Sequence, residues 1–462
     1  MAITKRGLVL GAAALTVSTA AIAGTGLHFF KGQALLQGDD SRQQVADADK
    51  DASLQPMSML SLQSFFNQSP KELVDEVWQI IDRTYVDGTF NQVDWKKVRN
   101  DYLKRSYSSN DDAYKAIREM VKKIGDPYTR FMDPQEFRNM KIDTSGELTG
   151  VGIQLAADEK TKKLTVIAPI EDSPAFTAGI LSKDIILKID GKSTEGMDVN
   201  KAVTLIRGAV GTSVNLTILR GTEQKDYAIK RARIEIHAVK SSEVPSPQGK
   251  VGYIRLAQFS ANAPADMGKA IDKLEKQQVA GYILDLRGNP GGLLYTSVDI
   301  AQMWLEKGAI VSTKSRTGEQ DREQANRAKF KTNKPLVVLV DGGSASASEI
   351  LSGALQDNRR AVLIGTKTFG KGLVQSVRQV GKDSGLAVTI AKYYTPNGRD
   401  INKHGIDPDL EIKLTEAQGK ELSANRDKVG TMADPQFAKA VEVLGEKIQA
   451  FRLQSPRAET KP

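Results

Sequence analysis

The sequence predicts a multidomain chain of α/β and α+β class, with a helical N-terminal region, a β-rich domain with two helices, and an α/β core with a mainly parallel sheet. Three observations support this fold class. The length of 462 residues favours two to four domains. The hydrophobic period is helical over residues 70–145 and changes to that of short strands over residues 146–235. Within residues 236–412, strands and helices alternate, which predicts a parallel sheet with helices on its faces.

The N-terminus has the pattern of an export signal. Two basic residues precede 24 uncharged residues from Gly7 to Phe30, and an Ala-x-Ala cleavage site ends at Ala23. The same run is long enough to cross a bilayer if it is not cleaved. We therefore expect a signal peptide or membrane anchor over residues 1–30. The mature protein is then located outside the cytoplasm, either released or tethered.

The segments that follow can be assigned from local composition. Residues 31–69 are polar and poor in aromatic side chains, which predicts a flexible linker. In the helical region, PKELVDEVWQIIDRTYVD places four apolar side chains on one stripe. In the β-rich domain, KLTVIAPI, DIILKIDG and SVNLTILRG are typical of short strands. Residues 413–462 are mostly polar, and we expect a tail with one helix there.

The composition excludes several kinds of chemistry. The chain has no cysteine, so disulfides, thiolate nucleophiles and cysteine-based metal sites are excluded. It has three histidines, His28, His237 and His404, which leaves little material for a Ser-His-Asp triad or a multi-histidine metal site. The net charge of +9 is spread along the chain without a dense basic block, which argues against a nucleic-acid partner. We expect no metal ion and no cofactor.

The stretch GTKTFGKG, residues 365–372, superficially resembles a phosphate-binding loop. Such a loop needs Ser or Thr after its lysine and a helix that begins there. Here Gly372 follows Lys371, and two strand-like runs around a GKDSG turn come next, which predicts a hairpin. Lys371 is instead a candidate general base, provided that burial lowers its pKa. The alternative is a solvated lysine in a turn.

Two further stretches place reactive groups near the ends of strands. In PLVVLVDGGSASASEI, a buried strand leads to a serine at a helix start, where free N–H groups stabilise an oxyanion. The alternative is a capping box formed by Ser346 and Glu349. In GYILDLRGNPGGLL, Gly291 and Gly292 allow close backbone approach to a substrate. Loops at the carboxyl ends of parallel strands share one crevice, although a simple βα turn is the plainer interpretation.

Together these motifs identify a family resemblance. DLRGNPGG, GSASASEI and GTKTFGKGLVQS, in this order and spacing, resemble the carboxyl-terminal processing proteases over residues 70–412. WQIIDRTYVDGTFNQVDW, GDPYTRFMDP and YYTPNGRDINKHGIDPD are similar to the cyanobacterial and chloroplast branch. The resemblance implies a Ser-Lys endopeptidase with an inserted PDZ domain, in which Ser346 is the nucleophile, Lys371 is the general base and Gln375 holds the lysine.

The same resemblance implies further site residues. The oxyanion hole consists of the amide of Ala347 and one from the Gly291–Gly292 turn. Asp357 matches a position that affects activity, although it is equally compatible with an ordinary helix end. The β-rich domain is expected to be the PDZ domain, which captures a free C-terminus and adds the peptide as a strand to its sheet edge. Its carboxylate-binding loop comprises Thr149, Gly150, Val151, Gly152 and Ile153.

The expected protein is a serine endopeptidase that binds the apolar C-terminal tails of exported or lumenal proteins and cleaves upstream of them. In this branch the implied substrate is the precursor of a photosystem II reaction-centre subunit, and general turnover of exported proteins is the alternative. The implied location is the periplasm or thylakoid lumen, with membrane contact only through an uncleaved N-terminal segment. A non-catalytic PDZ adaptor or chaperone is the competing hypothesis.

Overall fold

The computed structural model describes residues 68–158, 161–318 and 320–454. The predicted signal segment and nearly all of the predicted linker lie outside these residues. The described chain forms two compact units. The first contains the residues up to Met140, Leu286–Thr332 and Leu336–Ala440, and the second contains Lys141–Asp285, Asn333–Pro335 and the residues from Val441 onward. The predicted α/β core therefore contributes elements to both units.

The helices are numbered along the chain. They are α1 (Pro70–Thr84), α2 (Trp95–Leu103), α3 (Asn110–Lys122), α4 (Pro134–Ser145), α5 (Pro174–Thr177), α6 (Val199–Ile206), α7 (Ala263–Lys276), α8 (Leu294–Trp304), α9 (Ala347–Asp357), α10 (Glu416–Ala424) and α11 (Pro435–Gln454). Short 3₁₀ turns occupy Phe90–Gln92, Arg327–Lys329 and Arg426–Lys428. Among the described residues, no helix is long and apolar enough to span a membrane.

The strands are numbered in the same way. They are β1 (Arg130–Met132), β2 (Glu147–Gly150), β3 (Ile153–Ala157), β4 (Leu164–Pro169), β5 (Ile185–Ile189), β6 (Lys192–Ser193), β7 (Ser213–Arg220), β8 (Glu223–Lys230), β9 (Ala232–Glu235), β10 (Val239–Val244), β11 (Val251–Leu256), β12 (Tyr282–Asp285), β13 (Ala309–Ser315), β14 (Gln320–Gln324), β15 (Leu336–Val340), β16 (Val362–Gly365), β17 (Leu373–Val380), β18 (Ser384–Tyr394) and β19 (Leu410–Glu411).

In the first unit, an antiparallel sheet packs beneath the N-terminal helices. Its strand order is β1-β18-β13-β14, and β17 also pairs with β18. The β17–β18 pair is the hairpin that the GKDSG turn predicts, with Val380 opposite Ser384. Apolar faces of α1, α2 and α3 pack into one core with buried residues of this sheet. Ser69 and Glu72 form a capping box that fixes the start of α1.

Parallel pairing is present in both units, as the βα alternation predicts. In the first unit β15 pairs in parallel with β16, and β16 with β19. All five residues of β15 are buried, which is typical of a strand covered on both faces. In the second unit β11 pairs in parallel with β12, while β10 is antiparallel to β11.

The β-rich domain with two helices lies within the second unit. Its sheet order is β3-β4-β5-β7-β8, with β6 paired to β5, and α5 and α6 supply the two helices. A separate antiparallel pair joins β2 to β9, so Glu147 lies opposite Glu235. This pair brings the two ends of the domain together, which is what an inserted domain requires.

The C-terminal region differs from the single helix that the sequence predicts. The structure has two α-helices there, α10 and α11, with a 3₁₀ turn between them. Asp434, just before α11, forms a buried ion pair with Arg287. Phe437 and Leu444 are buried as well. The segment has an apolar face among its charged residues, and its described part, residues 413–454, belongs to the folded protein.

Candidate active site

The predicted nucleophile lies in a tight turn between β15 and α9. Ser346 is the N-cap of α9 and is only 4% exposed. Its backbone has φ 56° and ψ −114°, a conformation that costs a non-glycine residue about 1–3 kcal/mol. The turn is fixed by Asp341, whose carboxylate accepts the N–H groups of Gly288 (2.8 Å) and Gly343 (2.9 Å). The serine therefore sits in a strained position that the surrounding structure enforces.

Lys371 is buried on the loop that leads into β17. It is 5% exposed, and its Nζ lies 4.9 Å from the centre of the Tyr128 ring. Burial lowers the pKa of Lys371 from an ordinary 10.5 to about 8; the charge of Arg130 lowers it further, while Asp126 and Glu349 raise it. An amine with this pKa has a substantial neutral fraction near neutral pH, as a base requires.

One buried carboxylate links the serine segment to the lysine segment. Glu349 accepts hydrogen bonds from the N–H groups of Ser346 (2.8 Å), Gly370 (2.7 Å) and Lys371 (2.9 Å), and from the hydroxyl of Thr368 (2.6 Å). Burial raises the pKa of Glu349, and these hydrogen bonds oppose that rise. The capping interaction proposed as the alternative to catalysis is thus present, and it also joins the two segments.

A buried tyrosine makes a second link between these segments. The hydroxyl of Tyr393, on β18, lies 3.0 Å from the carbonyl oxygen of Ser346 and also contacts the carbonyl oxygen of Lys371. Tyr393 is 1% exposed. The backbones of the two predicted catalytic residues are therefore held together from both their N–H and C=O sides.

Sequence reasoning missed the residues that surround the lysine amine. Tyr128 and Arg130 belong to the stretch GDPYTRF, which sequence reasoning used only for the family resemblance. Asp126 accepts hydrogen bonds from the hydroxyls of Thr129 and Thr389, both at 2.7 Å. Thr129 in turn accepts the N–H of Thr389 at 3.0 Å. The sequence signal for these surroundings was the acidic and hydroxyl side chains that flank the pair Asp126–Pro127, because these side chains anchor the segment to β18.

The glycine turn predicted to form the oxyanion hole packs directly against the serine. Gly291 has φ 103°, and a Cβ added there would lie 2.7 Å from the carbonyl oxygen of Ala345 and 3.0 Å from the N of Ala347. Only glycine permits this approach. The N–H of Gly291 donates to Asn289 Oδ1 at 2.9 Å. An oxyanion hole at this position would therefore use the N–H groups of Gly292 and Ala347.

The two remaining predicted residues lie in different surroundings. Gln375, on β17, is 2% exposed, and neither polar atom of its side chain has a hydrogen-bond partner in the described part of the chain. Asp357 ends α9, where its carboxylate accepts the N–H of Asn397 (2.9 Å) and pairs with Arg399. The structure thus gives Asp357 the anchoring contacts of a helix-end residue.

The predicted carboxylate-binding loop lies in the second unit. Gly152 has φ 82°, and a Cβ there would lie 2.2 Å from the Cβ of Ser173. Val151 is buried in the domain core, so its side chain is unavailable to a ligand. Its carbonyl accepts the N–H of Ala175 at 2.8 Å. Ile153 begins β3, an edge strand of the five-strand order, and an edge strand can pair with an added peptide.

Comparison with known proteins identifies the family of this chain. Residues 250–412 match the model of peptidase family S41, and residues 165–220 match a PDZ domain model. The chain is 42% identical over 377 residues to a carboxyl-terminal-processing protease of Synechocystis sp., covering 81% of this chain and 86% of that protein. It is 40% identical over 374 residues to the chloroplastic carboxyl-terminal-processing peptidase 2 of Arabidopsis thaliana, covering 79% and 72%.

A solved structure extends the same comparison to three dimensions. The photosystem II D1 C-terminal processing protease is 35% identical, with a TM-score of 0.51, and the match covers 80% of this chain and 100% of that one. These matches confirm the family resemblance and the α/β multidomain fold with a PDZ domain. They also confirm a serine-type peptidase.

Proposed function

Because this chain belongs to the carboxyl-terminal processing proteases of peptidase family S41, we propose that it cleaves proteins near their C-termini by a Ser346–Lys371 mechanism. The observation that carries this proposal is the buried lysine, whose segment shares Glu349 with the segment of the serine. A lysine base needs a dry environment, and a nucleophile needs a fixed position beside it. Both residues lie in the first unit, where the burial of Lys371 and the carboxylate that the two segments share support this pairing.

Recognition begins at the PDZ domain. The backbone N–H groups of residues 149–153 bind the substrate's terminal carboxylate, and the peptide pairs with β3. The apolar tail is thereby bound while an upstream peptide bond reaches Ser346. Binding at a distance from the cleaved bond gives specificity for the tail without requiring one sequence at the cleavage site.

Cleavage then proceeds in two steps. The neutral amine of Lys371 removes the proton of Ser346 Oγ, which attacks the carbonyl carbon, and the amides of Gly292 and Ala347 receive the oxyanion. The Lys371 ammonium returns its proton to the leaving amine as the C–N bond breaks. The resulting ester is hydrolysed by water, which Lys371 activates in the same way. The family resemblance assigns Gln375 to positioning the lysine, although its side-chain amide makes no hydrogen bond in the described part of the chain.

The proposed substrates are exported or lumenal proteins, in the periplasm or thylakoid lumen. A photosystem II reaction-centre subunit precursor is the specific candidate, supported by the similarity to a protease named for processing such a subunit. That similarity includes the full length of the solved chain.

The test uses a peptide with an apolar C-terminus, incubated with the wild-type protein, Ser346→Ala and Lys371→Met. We expect cleavage by the wild type alone and equal tail binding by all three proteins, because the substitutions leave the PDZ domain intact. If the wild type binds the tail but cleaves no peptide, the protein is an adaptor and the proposal fails. If Lys371→Met retains cleavage, the lysine is not the base.

A further inference from the structure

Tyr393 is a buried residue that no step of the proposed mechanism uses, although it touches the backbone of both proposed catalytic residues. Its hydroxyl lies 3.0 Å from the carbonyl oxygen of Ser346 and also contacts the carbonyl oxygen of Lys371. Its N–H donates to the carbonyl oxygen of Gly372 at 3.1 Å. Because Tyr393 lies on β18 and Ser346 directly precedes α9, this side chain joins the sheet to the start of the helix.

The hydroxyl of Tyr393 is the donor in both contacts. A carbonyl oxygen only accepts, so the phenol must supply the proton, and one O–H can be shared between two acceptors. Burial raises the pKa of Tyr393 well above its ordinary range, and the charge of Glu349 raises it further. The phenol therefore stays protonated throughout the pH range in which a lysine base with a pKa of about 8 titrates.

The contact with Ser346 reaches the proposed oxyanion hole through a single peptide group. The carbonyl of Ser346 and the N–H of Ala347 belong to the same peptide unit, which is planar and moves as a whole. This N–H is one of the two proposed oxyanion donors, and it makes no hydrogen bond in the described part of the chain. A donor that fixes the carbonyl therefore also fixes the direction of the N–H. Its hydrogen bond polarises the amide as well, which makes the N–H a stronger donor.

Two further donors reach the carbonyl of Ser346, and both belong to α9 itself. The N–H groups of Glu349 and Ile350 lie 2.8 Å and 3.0 Å from this oxygen. They move together with the helix, so they do not fix the peptide unit relative to the sheet. Within the described ranges, the donor from another element is the hydroxyl of Tyr393. This contact therefore holds the strained turn at Ser346 in place relative to β18 and to the segment of Lys371.

We propose that Tyr393 is a positioning residue of the oxyanion hole, and that its hydroxyl orients the 346–347 peptide unit so that the N–H of Ala347 faces the developing oxyanion. Through the carbonyl of Lys371, the same hydroxyl keeps this donor in register with the segment of the base. The proposal rests on the proposed function, because it assumes that acyl transfer takes place at Ser346. The effect is large in the tetrahedral intermediate, where the oxygen is charged, and small in the bound substrate.

The test removes the hydroxyl alone and measures two quantities. Tyr393→Phe is assayed for peptide cleavage and for inhibition by a short peptide boronic acid. In the boronate adduct, Ser346 Oγ bonds to boron, its proton passes to Lys371, and a boron-bound oxygen occupies the oxyanion hole. We expect kcat and the boronate affinity each to fall about 10-fold, as for the loss of one hydrogen bond, while KM and tail binding stay unchanged.

A matched control removes the hydroxyl of the next residue on the same strand. The hydroxyl of Tyr394 makes no hydrogen bond in the part of the chain that the structure describes, so Tyr394→Phe should keep the wild-type values. An unchanged boronate affinity in Tyr393→Phe overturns the inference. So does a kcat that recovers at high pH together with a shifted midpoint, since Tyr393 would then act through the amine of Lys371.

A second substitution decides the question if Tyr393→Phe fails to fold, which thermal unfolding and tail binding reveal. Replacement of Tyr393 by 3-fluorotyrosine keeps the ring and the hydroxyl and makes the hydroxyl a stronger donor. It should raise kcat and the boronate affinity by about 2-fold, and values that do not rise overturn the inference. A wild-type protein that neither cleaves a peptide nor binds the boronic acid refutes the proposed function instead.

Discussion

The burial of Lys371 predicts the pH dependence of peptide cleavage. If this amine is the base, only its neutral form is active, and the ascending limb of kcat/KM follows its titration in the free enzyme. Burial and the charge of Arg130 lower the pKa to about 8. We therefore expect the limb to have its midpoint near pH 8, well below the range of an exposed lysine.

The size of the effect follows from that pKa. At pH 7, an amine with a pKa of about 8 is roughly one-tenth neutral, whereas one with a pKa of 10.5 is neutral in about one molecule in 3,000. Burial thus increases the fraction of active base about 300-fold at neutral pH. The same shift corresponds to about 3 kcal/mol of folding free energy that the packed site must supply.

The assay measures kcat/KM from pH 6 to pH 10.5 at constant ionic strength, with a peptide that has no group titrating in this range. Lys371→Arg is the matched control, because a guanidinium stays protonated throughout and should give no ascending limb. Arg130→Gln should move the midpoint upward, since it removes a cation that disfavours the ammonium form. A wild-type midpoint above about pH 9.5, or a flat profile, would refute the assignment of a desolvated lysine base.

Four further outcomes are expected. Lys371→Met should raise the free energy of unfolding, because the lowered pKa of this lysine destabilises the fold wherever the unfolded chain keeps the proton. The full increase is expected below pH 8 and no increase above pH 10.5, and urea unfolding at several pH values measures it. Gln375→Leu should stabilise the protein by about 1–2 kcal/mol, since its buried amide lacks partners, while kcat falls. Glu349→Gln should lower kcat at least about 100-fold and lower Tm, because an NH₂ group would face backbone N–H donors. Arg287→Met should cost about 3–5 kcal/mol in urea unfolding by leaving the buried Asp434 carboxylate without its cation, and adding Asp434→Asn should recover part of that loss, because a neutral amide oxygen still accepts the N–H groups of Gln436 and Phe437.

Local rules in the sequence predicted the elements that carry Ser346 and Lys371. A buried apolar run followed by two glycines specifies a strand, a tight turn and a helix start. The GKDSG turn between two strand-like runs specifies the β17–β18 hairpin, which excluded a phosphate-binding helix. Each of these features depends on residues within about ten positions of each other, so a local sequence pattern is sufficient to predict it.

The surroundings of the lysine amine could not be predicted in this way. Tyr128 lies more than 200 residues before Lys371 in the chain, and the two meet because β1 pairs with β18 over three residues. A three-residue strand has too short a pattern to distinguish from a loop. The partner of Arg287 was equally hidden, since Asp434 lies in a segment whose mean composition is polar. In both cases the contact joins segments that are far apart in the sequence, and a local sequence pattern does not show such a contact.

A lysine base must be dry enough to lose its proton and yet be held beside a serine, and these demands conflict. A carboxylate placed to bind the amine would fix it but raise its pKa. In this structure the carboxylate of Glu349 instead binds the backbone N–H groups of Ser346 and Lys371, and Tyr393 contacts their carbonyl oxygens. Main-chain contacts thus fix the segment, while burial and the charge of Arg130 lower the pKa of the amine against the opposing charges of Asp126 and Glu349. The Lys371→Met variant should therefore keep this loop in place, so its loss of cleavage would report on the amine itself.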